Sequence, residues 1–210
     1  MNFKTLEVAG WEPALYGMRF PLKSLYKADS YYDGDNFIIG PNDYNLAKKL
    51  WKAGPEHRKY LRQIQVWVKI SAPRYWWSEF DTYKIGTSAN SESTMHKILS
   101  EIFDQADFEW MFENRDWDIE VGFRNYLDLL KTVRDRANDD PKYKEHYQQL
   151  LKCMLPESFI QTRAVNLNYE VLATMYHQRK NHRLPQWSKD FVEWTHTLPY
   201  SEFITGRFDE

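Results

Sequence analysis

A buried strand followed at once by a proline and an aromatic helix constrains this chain more than any other segment. Residues 66–71 alternate apolar with polar or large side chains, which is the period of two typical of a strand with one buried face. Ala72-Pro73 ends the strand and favours a helix start, because proline has a preset φ and needs no backbone donor at the first helical position. The sequence therefore predicts a strand that leads directly into a helix carrying Glu79.

A stretch of small and polar residues follows this helix. Residues 86–93 read Gly-Thr-Ser-Ala-Asn-Ser-Glu-Ser, and a second helix is predicted from Thr94. Hydroxyls, amides and backbone N–H groups in a turn-rich stretch suit a phosphate or a base. We therefore expect residues 86–93 to form a polar ligand-binding loop.

The order of these elements resembles the signature of the flavin-dependent thymidylate synthases. In that family a strand, Ala-Pro and a helix lead to Arg-His-Arg, then to a polar loop with Ser, Asn-Glu and Ser, and finally to Arg-Tyr. Here Thr82-Tyr83-Lys84 stands in place of Arg-His-Arg, and Met95-His96 in place of Arg-Tyr. The loop matches at Thr87, Asn90, Ser91 and Ser93, and it is one residue longer than the family pattern.

A second block of the same family is matched in the last third of the chain. Leu155-Pro156 corresponds to the Leu-Pro that begins the block, and Lys152 lies where the family has a nucleotide-binding arginine. Counted without gaps, Asn168 matches the first conserved asparagine of a long helix and Arg179 the arginine that faces the uracil. Glu170 and Thr174 replace an arginine and an asparagine, and His182 lies near a late histidine.

The resemblance implies a fold, a reaction and a set of site residues. The fold is α+β, helix-rich with a small central and mostly antiparallel sheet, although the periodicity alone is also compatible with a mainly helical chain. The reaction is reductive methylation of dUMP to dTMP with FAD, NADPH and methylenetetrahydrofolate, in a homotetramer. The implied cofactor-binding residues are Lys84, Thr87, Asn90, Asn168 and His182. The implied substrate-binding residues are Glu79, Ser91, Ser93, Lys152 and Arg179; no catalytic residue is assigned.

The replaced residues leave other functions open. Exchanging arginines for Thr82 and Met95 removes two positive charges, at about 1.5–3 kcal/mol per charged hydrogen bond. One alternative is a nucleotide-binding or nucleotide-sequestering protein without catalysis, and the sequence is compatible with a viral origin of such a protein. Another is a different modification of dUMP, such as hydroxymethylation. Arg179 can also be read as a helix-end cation that pairs with a carboxylate or with terminal carbonyls.

Composition excludes several classes of function. The 28 basic and 30 acidic residues give a formal net charge of −2, which argues against nucleic acid as a partner. No apolar run approaches the length of a membrane span, so we expect a cytoplasmic protein with no membrane partner. The single cysteine, Cys153, excludes an intrachain disulfide and is expected to be a buried thiol. The six histidines lack zinc-ligand spacing, so no metal is expected.

The remaining segments complete a predicted single domain of 210 residues. Residues 3–8 read as an edge strand, and residues 29–41 as a long surface loop. Helical periodicity is strongest over residues 117–137, and a further helix is expected over residues 141–155. Arg58, Lys59 and Arg62 precede the central strand, where they are either phosphate ligands or a solvated guard of the sheet edge.

Overall fold

The computed structural model describes residues 1–208, apart from the side chain of residue 96. The chain divides into two compact units. One contains residue 1 with residues 71–82 and 90–163 and is called the middle unit here; the other contains residues 2–70, 83–89 and, as far as the structure describes them, 164–208 and is called the terminal unit. Whether the chain acts as one domain stays a prediction.

Six strands and nine α-helices are present in the described residues. The strands are β1 (Asn2–Ala9), β2 (Tyr31–Asp33), β3 (Asn36–Ile38), β4 (Gln65–Pro73), β5 (Thr87–Ser91) and β6 (Ile160–Asn168). The helices are α1 (Trp11–Arg19), α2 (Pro41–Ala53), α3 (Arg74–Phe80), α4 (Thr94–Lys97), α5 (Trp117–Asp139), α6 (Lys144–Met154), α7 (Tyr169–Arg179), α8 (Val192–His196) and α9 (Glu202–Thr205). Within residues 1–208, no helix is both long enough and apolar enough to cross a membrane.

Four strands form one sheet in the order β1-β4-β6-β5, so β1 is the edge strand that the sequence predicts. The Ser71 and Thr162 hydroxyls lie 2.8 Å apart, and the Asn166 side-chain amide donates to the Val66 carbonyl oxygen at 3.3 Å. Residue numbers along β6 fall from Asn166 to Thr162 as those along β4 rise from Val66 to Ser71, so the two strands are antiparallel. The predicted α+β class with a small antiparallel sheet is confirmed.

The predicted alternation of the central strand is also confirmed. Val66, Val68 and Ile70 are buried, whereas Trp67 is 38% exposed. Pro73 ends β4, and α3 begins at the next residue, as the preset φ of proline favours. The first helix of the signature therefore starts directly from a buried strand.

A helical core fills the middle unit. The long helix α5 buries Leu127, Leu130, Val133 and Ala137, at the spacing that keeps one face of a helix inward. The first three of these side chains pack in a cluster with residues of other elements, namely Ile98, Phe103, Phe108, Leu151, Leu155 and Phe159. Burying each large apolar side chain contributes about 1.5–3 kcal/mol, which explains why this helix forms where its periodicity predicts it.

Residues 29–41 are not the long loop that the sequence suggests. They contain the antiparallel hairpin β2–β3, in which Tyr31 pairs with Ile38 and Asp33 with Asn36. Gly34 takes the positive φ of +59° at the turn. The turn residues were visible in the sequence, but strands of three residues are too short to show a period of two.

A buried ion pair joins α1 to α2 in the terminal unit. Arg19 and Asp43 are both 2% exposed, and the guanidinium Nε of Arg19 donates to the Asp43 carboxylate. The other Asp43 oxygen accepts from the backbone N–H groups of Asp29 and Ser30 at 3.1 and 3.0 Å. Desolvation raises the pKa of Asp43, but hydrogen bonds from the Ser30 hydroxyl, from Arg19 and from these two N–H groups together hold it below its usual value.

Strand β6 was not predicted from the sequence: residues 160–168 form it ahead of the long helix α7, which begins at Tyr169. One further prediction was wrong. The thiol of Cys153 is exposed, because α6 turns Leu151 inward and Cys153 outward. Whether a helical residue is buried depends on the face of the helix on which it lies, and not on how apolar its neighbours in the sequence are.

Candidate functional site

The predicted site residues are distributed over both units. Glu79, Asn90, Ser91, Ser93 and Lys152 lie in the middle unit, whereas Lys84, Thr87, Asn168, Arg179 and His182 lie in the terminal unit.

In the middle unit, Lys152 meets the segment that follows β5. Its ammonium group donates to the hydroxyl of Thr94, which is adjacent to Ser93 in the chain. Burial lowers the pKa of Lys152, and the nearby Arg74 cation lowers it further. Arg74 in turn donates to the Leu155 carbonyl oxygen at 2.9 Å. Two residues assigned to a phosphate by resemblance, Ser93 and Lys152, are thus brought close to each other through Thr94.

A cleft of 480 Å³ lies beside this segment and has an acidic side. Ser93 and Thr94 line it, and so do the carboxylates of Glu92, Glu101 and Asp107. Burial raises the pKa of Glu101, the negative charges of Asp107 and Glu92 raise it further, and Lys97 acts against them. Because like charges repel, the acidic side of the cleft disfavours a phosphate. An anion is therefore better placed next to the Lys152 ammonium group than among these carboxylates.

Asn90 and Ser91 do not lie in a loop, as the sequence predicted, but on the edge strand β5. Both side chains are exposed. Just after the strand, the N–H group of Glu92 donates to the Thr162 carbonyl oxygen at 3.0 Å. Small polar residues have low strand propensity, so pairing with β6 decides the conformation here.

Glu79 is half-buried on α3, close to its end. Its carbonyl oxygen accepts from the Thr82 hydroxyl at 2.7 Å and from the Thr82 N–H at 3.2 Å. Thr82, which stands where the family has an arginine, is therefore used locally to end the helix.

In the terminal unit, Arg179 lies against two aromatic rings, Tyr83 and Trp187, whose centres are 6.4 Å apart. Its guanidinium carbon lies 4.9 Å from the centre of the Trp187 ring and 5.6 Å from that of Tyr83. The Nε–H group donates to the Tyr83 hydroxyl at 2.9 Å, and that hydroxyl donates to the Gln178 side-chain oxygen at 2.8 Å. Tyr83 stands in place of the family's histidine, so a phenol hydroxyl orients the arginine here. Sequence reasoning did not find Trp187 and Gln178 as neighbours of Arg179.

Asn168, predicted to bind a cofactor, caps helix α7. Its side-chain oxygen accepts from the Val171 N–H at 3.0 Å, and only 8% of the residue is exposed. Its amide nitrogen lies against Gly86: a Cβ on that glycine would be 2.8 Å from this nitrogen and 2.9 Å from Val171 Cγ2. The preference of asparagine for N-cap positions explains this placement.

The other predicted cofactor ligands in this unit have different surroundings. Lys84 is exposed. The Thr87 hydroxyl donates to the Tyr83 carbonyl oxygen, and His182 Nδ1 accepts from the Leu184 N–H at 3.2 Å. Thr87, Lys84 and Asn168 share the neighbourhood of Gly86, the first two by chain position and the third by contact.

Arg58, one of the basic residues ahead of β4, is engaged within the protein. Its guanidinium Nε lies 2.9 Å from a carboxylate oxygen of Glu170, and its Cζ lies 5.0 Å from the centre of the Trp51 ring. Burial raises the pKa of Glu170, and the Arg58 cation acts against this rise. Glu170 stands where the family has an arginine, and its carboxylate neutralises Arg58.

Among residues 1–208, with the side chain of residue 96 left aside, no group of three His, Cys, Asp or Glu side chains is arranged to hold a metal ion.

Comparisons with known proteins support the resemblance at the level of structure. No known family model matches the sequence, and no curated protein sequence matches it. The structure is similar to that of the flavin-dependent thymidylate synthase ThyX from Helicobacter pylori complexed with FAD and dUMP, with a TM-score of 0.70 and 17% identity over 97% of this chain and 96% of that one. A second structure of the Helicobacter pylori enzyme with FAD and dUMP also has a TM-score of 0.70 and 17% identity, over 98% of this chain and 100% of that one. At this level of sequence divergence, the chain has the fold of the flavin-dependent thymidylate synthases.

Proposed function

We propose that this chain binds a pyrimidine nucleotide and catalyses the reductive methylation of dUMP to dTMP as a homotetramer, with NADPH as reductant and methylenetetrahydrofolate as carbon donor. The observation that carries this proposal is the agreement of fold over 97% of the chain with an enzyme structure that contains FAD and dUMP. A shared fold hosts many functions, so the site residues have to support the assignment independently.

The residues of the middle unit supply the proposed phosphate contacts. Lys152 is a cation bonded to a neutral hydroxyl, and a second cation, Arg74, influences its pKa. A phosphate group would be attracted to this pair and would accept hydrogen bonds from Lys152 and from the hydroxyl of Ser93. Ser91 and Glu79 are the other proposed substrate contacts in this unit.

Arg179 is the proposed contact to the pyrimidine. Tyr83 and Trp187 hold its planar guanidinium at a fixed orientation. The Arg179 side chain therefore loses less conformational entropy when a ligand binds. A planar donor fork suits the carbonyl edge of a uracil ring.

FAD is the proposed cofactor, and the residues that the resemblance assigns to it offer suitable chemistry. Lys84 is an exposed cation for a diphosphate. The amide nitrogen of Asn168 is a donor that capping of α7 does not use, because the cap engages the oxygen. Thr87, Asn90 and His182 are the remaining proposed contacts. When bound, FAD would supply the hydride chemistry that amino-acid side chains lack.

Nucleotide binding without catalysis is the second candidate function. It is favoured by Thr82, which closes α3 instead of providing a positive charge, and by the pairing of Glu170 with Arg58 in place of a further cation. Both differences weaken the attraction for a second phosphorylated ligand but leave Lys152 and Arg179 in place.

The absorbance of the purified protein distinguishes the two functions. For the enzyme we expect a yellow protein whose flavin spectrum is bleached by NADPH and which forms dTMP. For the binder we expect a colourless protein whose melting temperature rises with dUMP but not with FAD. A protein that responds to neither ligand contradicts both functions.

The Arg179→Ala variant tests the position of the nucleotide. We expect its affinity for dUMP to fall under either function, because a charged hydrogen bond contributes about 1.5–3 kcal/mol. Arg183→Ala is the matched control, since Arg183 is an exposed arginine four residues further along the chain. Equal affinities of the two variants would show that the pyrimidine does not bind at Arg179.

A further inference from the structure

A small pocket with aromatic walls lies in the terminal unit, between helix α1 and the hairpin β2–β3. Its volume is 200 Å³, and four of its lining residues are aromatic: Tyr16, Tyr31, Tyr32 and Phe37. The three tyrosines are 54–57% exposed, although large aromatic side chains are usually buried. The Tyr32 and Phe37 rings meet edge to face, with their centres 5.1 Å apart. None of the residues proposed for dUMP or FAD lines this pocket.

The pocket carries a negative charge next to these rings. Glu12 lines it, and its carboxylate accepts a hydrogen bond from the Tyr32 hydroxyl. Desolvation raises the pKa of Tyr32, and the charge and hydrogen bonding of the Glu12 carboxylate raise it further. Among the lining residues, all of which the structure describes, none is Lys, Arg or His.

The second carboxylate of the pocket, Asp43, is already compensated. It forms the buried ion pair with Arg19 and accepts the backbone N–H groups of Asp29 and Ser30. Glu12 therefore provides the net charge of the pocket, which is −1 with Asp43 and Arg19 cancelling. A phosphate or a carboxylate ligand would be repelled by Glu12.

We propose that this pocket binds a small organic cation with a methylated ammonium head group. The negative faces of aromatic rings attract such a cation, and methylated ammonium groups are the cations that aromatic cages commonly recognise. The volume suits a head group, because pockets for whole drug-sized ligands span about 300–1,000 Å³. The head group belongs either to a free metabolite or to a methylated lysine side chain.

The charge requirement can be tested by titration of the full chain, observed by calorimetry or by NMR. Choline and its uncharged carbon isostere, 3,3-dimethylbutan-1-ol, have nearly the same shape and differ in charge. We expect choline to bind and the isostere to bind at least about fivefold more weakly. Equal binding of choline and the isostere, or the failure of both choline and a trimethyllysine peptide to bind, would overturn the proposal. Tighter binding of the peptide than of choline identifies the methylated side chain as the source.

Three variants localise the site. Glu12→Gln keeps the shape and removes the charge, and Tyr31→Leu keeps an apolar side chain and removes the aromatic face; each should weaken choline binding about threefold or more. Tyr26→Ala is the control, because Tyr26 is 81% exposed and does not line the pocket. Far-UV circular dichroism checks that all three fold. If Glu12→Gln binds choline as Tyr26→Ala does, the cation is bound elsewhere and the assignment is wrong.

Discussion

Gly86 lies at the junction of two predicted cofactor-binding segments, and its replacement by alanine tests that junction directly. Gly86 has a φ of +78°, in the region that residues with a Cβ rarely adopt. A Cβ there would lie 2.8 Å from the Asn168 amide nitrogen and 2.9 Å from Val171 Cγ2. Asn168 cannot move away without breaking its bond to the Val171 N–H, which caps α7.

The expected destabilisation has two parts. The left-handed backbone costs about 1–2 kcal/mol for alanine. Displacement of the Asn168 side chain removes an N-cap, which costs about 1 kcal/mol. Together they lower the free energy of unfolding by about 2–3 kcal/mol. For a chain of this size that corresponds to a fall of about 4–12 °C in melting temperature.

Gly34→Ala is the matched control for Gly86→Ala. Gly34 has a φ of +59°, but no atom lies within 4 Å of the position of its Cβ. Its substitution should therefore cost only the backbone part, about 1–2 kcal/mol. Urea unfolding of both variants and the wild type measures the difference. If Gly86→Ala is no less stable than Gly34→Ala, the contact between Gly86 and Asn168 does not exist as described.

Three further predictions concern buried or capping groups. Asp43→Ala leaves the Arg19 cation buried and should cost about 3–5 kcal/mol in urea unfolding; a loss below about 1 kcal/mol would contradict the buried pair. Asn168→Asp should keep the cap of α7 while Asn168→Ala loses about 1 kcal/mol, so a loss of flavin binding in the aspartate variant at unchanged stability would indicate an amide ligand, and unchanged flavin binding would contradict it. Glu101 has a raised pKa in the folded state, so its contribution to stability is present in acid and is lost as pH rises through that pKa. Glu101→Gln should therefore melt above the wild type at pH 7–8 and lose this advantage towards pH 4; a difference that is constant with pH would contradict the assignment.

The parts of the fold that sequence predicts are those whose cause is local. The alternation around Val68 and the apolar periodicity of α5 are both visible in the sequence; Leu130 and Val133 of α5 are buried, although Val121 and Leu129, predicted on the same face, are 46% and 47% exposed. Strand β5 has no such period. Its small and polar residues form a strand because they pair with β6, which is about seventy residues away in the chain. Such pairing overrides intrinsic propensity.

The candidate site is predictable only in part for the same reason. The proximity of Lys152 to the Ser93 segment was implied by the family resemblance, and the contact to Thr94 joins residues 58 apart. No pattern indicated that Tyr83 would meet Arg179, because 96 residues separate them and Tyr83 departs from the family signature. Contacts at such distances depend on the packing of whole elements, which short-range periodicity does not contain.

The two predicted phosphate-binding cations Arg58 and Lys152 differ in whether a carboxylate neutralises them. Arg58 is neutralised by a half-buried carboxylate of Glu170, so it adds little attraction for an anion. Lys152 instead contacts the hydroxyl of Thr94. The nearby Arg74 has a carboxylate partner, Glu157, but the two charged groups are 3.6 Å apart and the Glu157 side chain is 60% exposed. The lowered pKa of Lys152 means that the Arg74 charge and burial oppose its protonation. A bound phosphate would reverse this opposition and raise that pKa again, so binding of the anion and of the proton should favour each other. Phosphate affinity at this position should consequently decrease as pH rises through the lowered pKa of Lys152, whereas an anion held by arginines alone would show no such decrease.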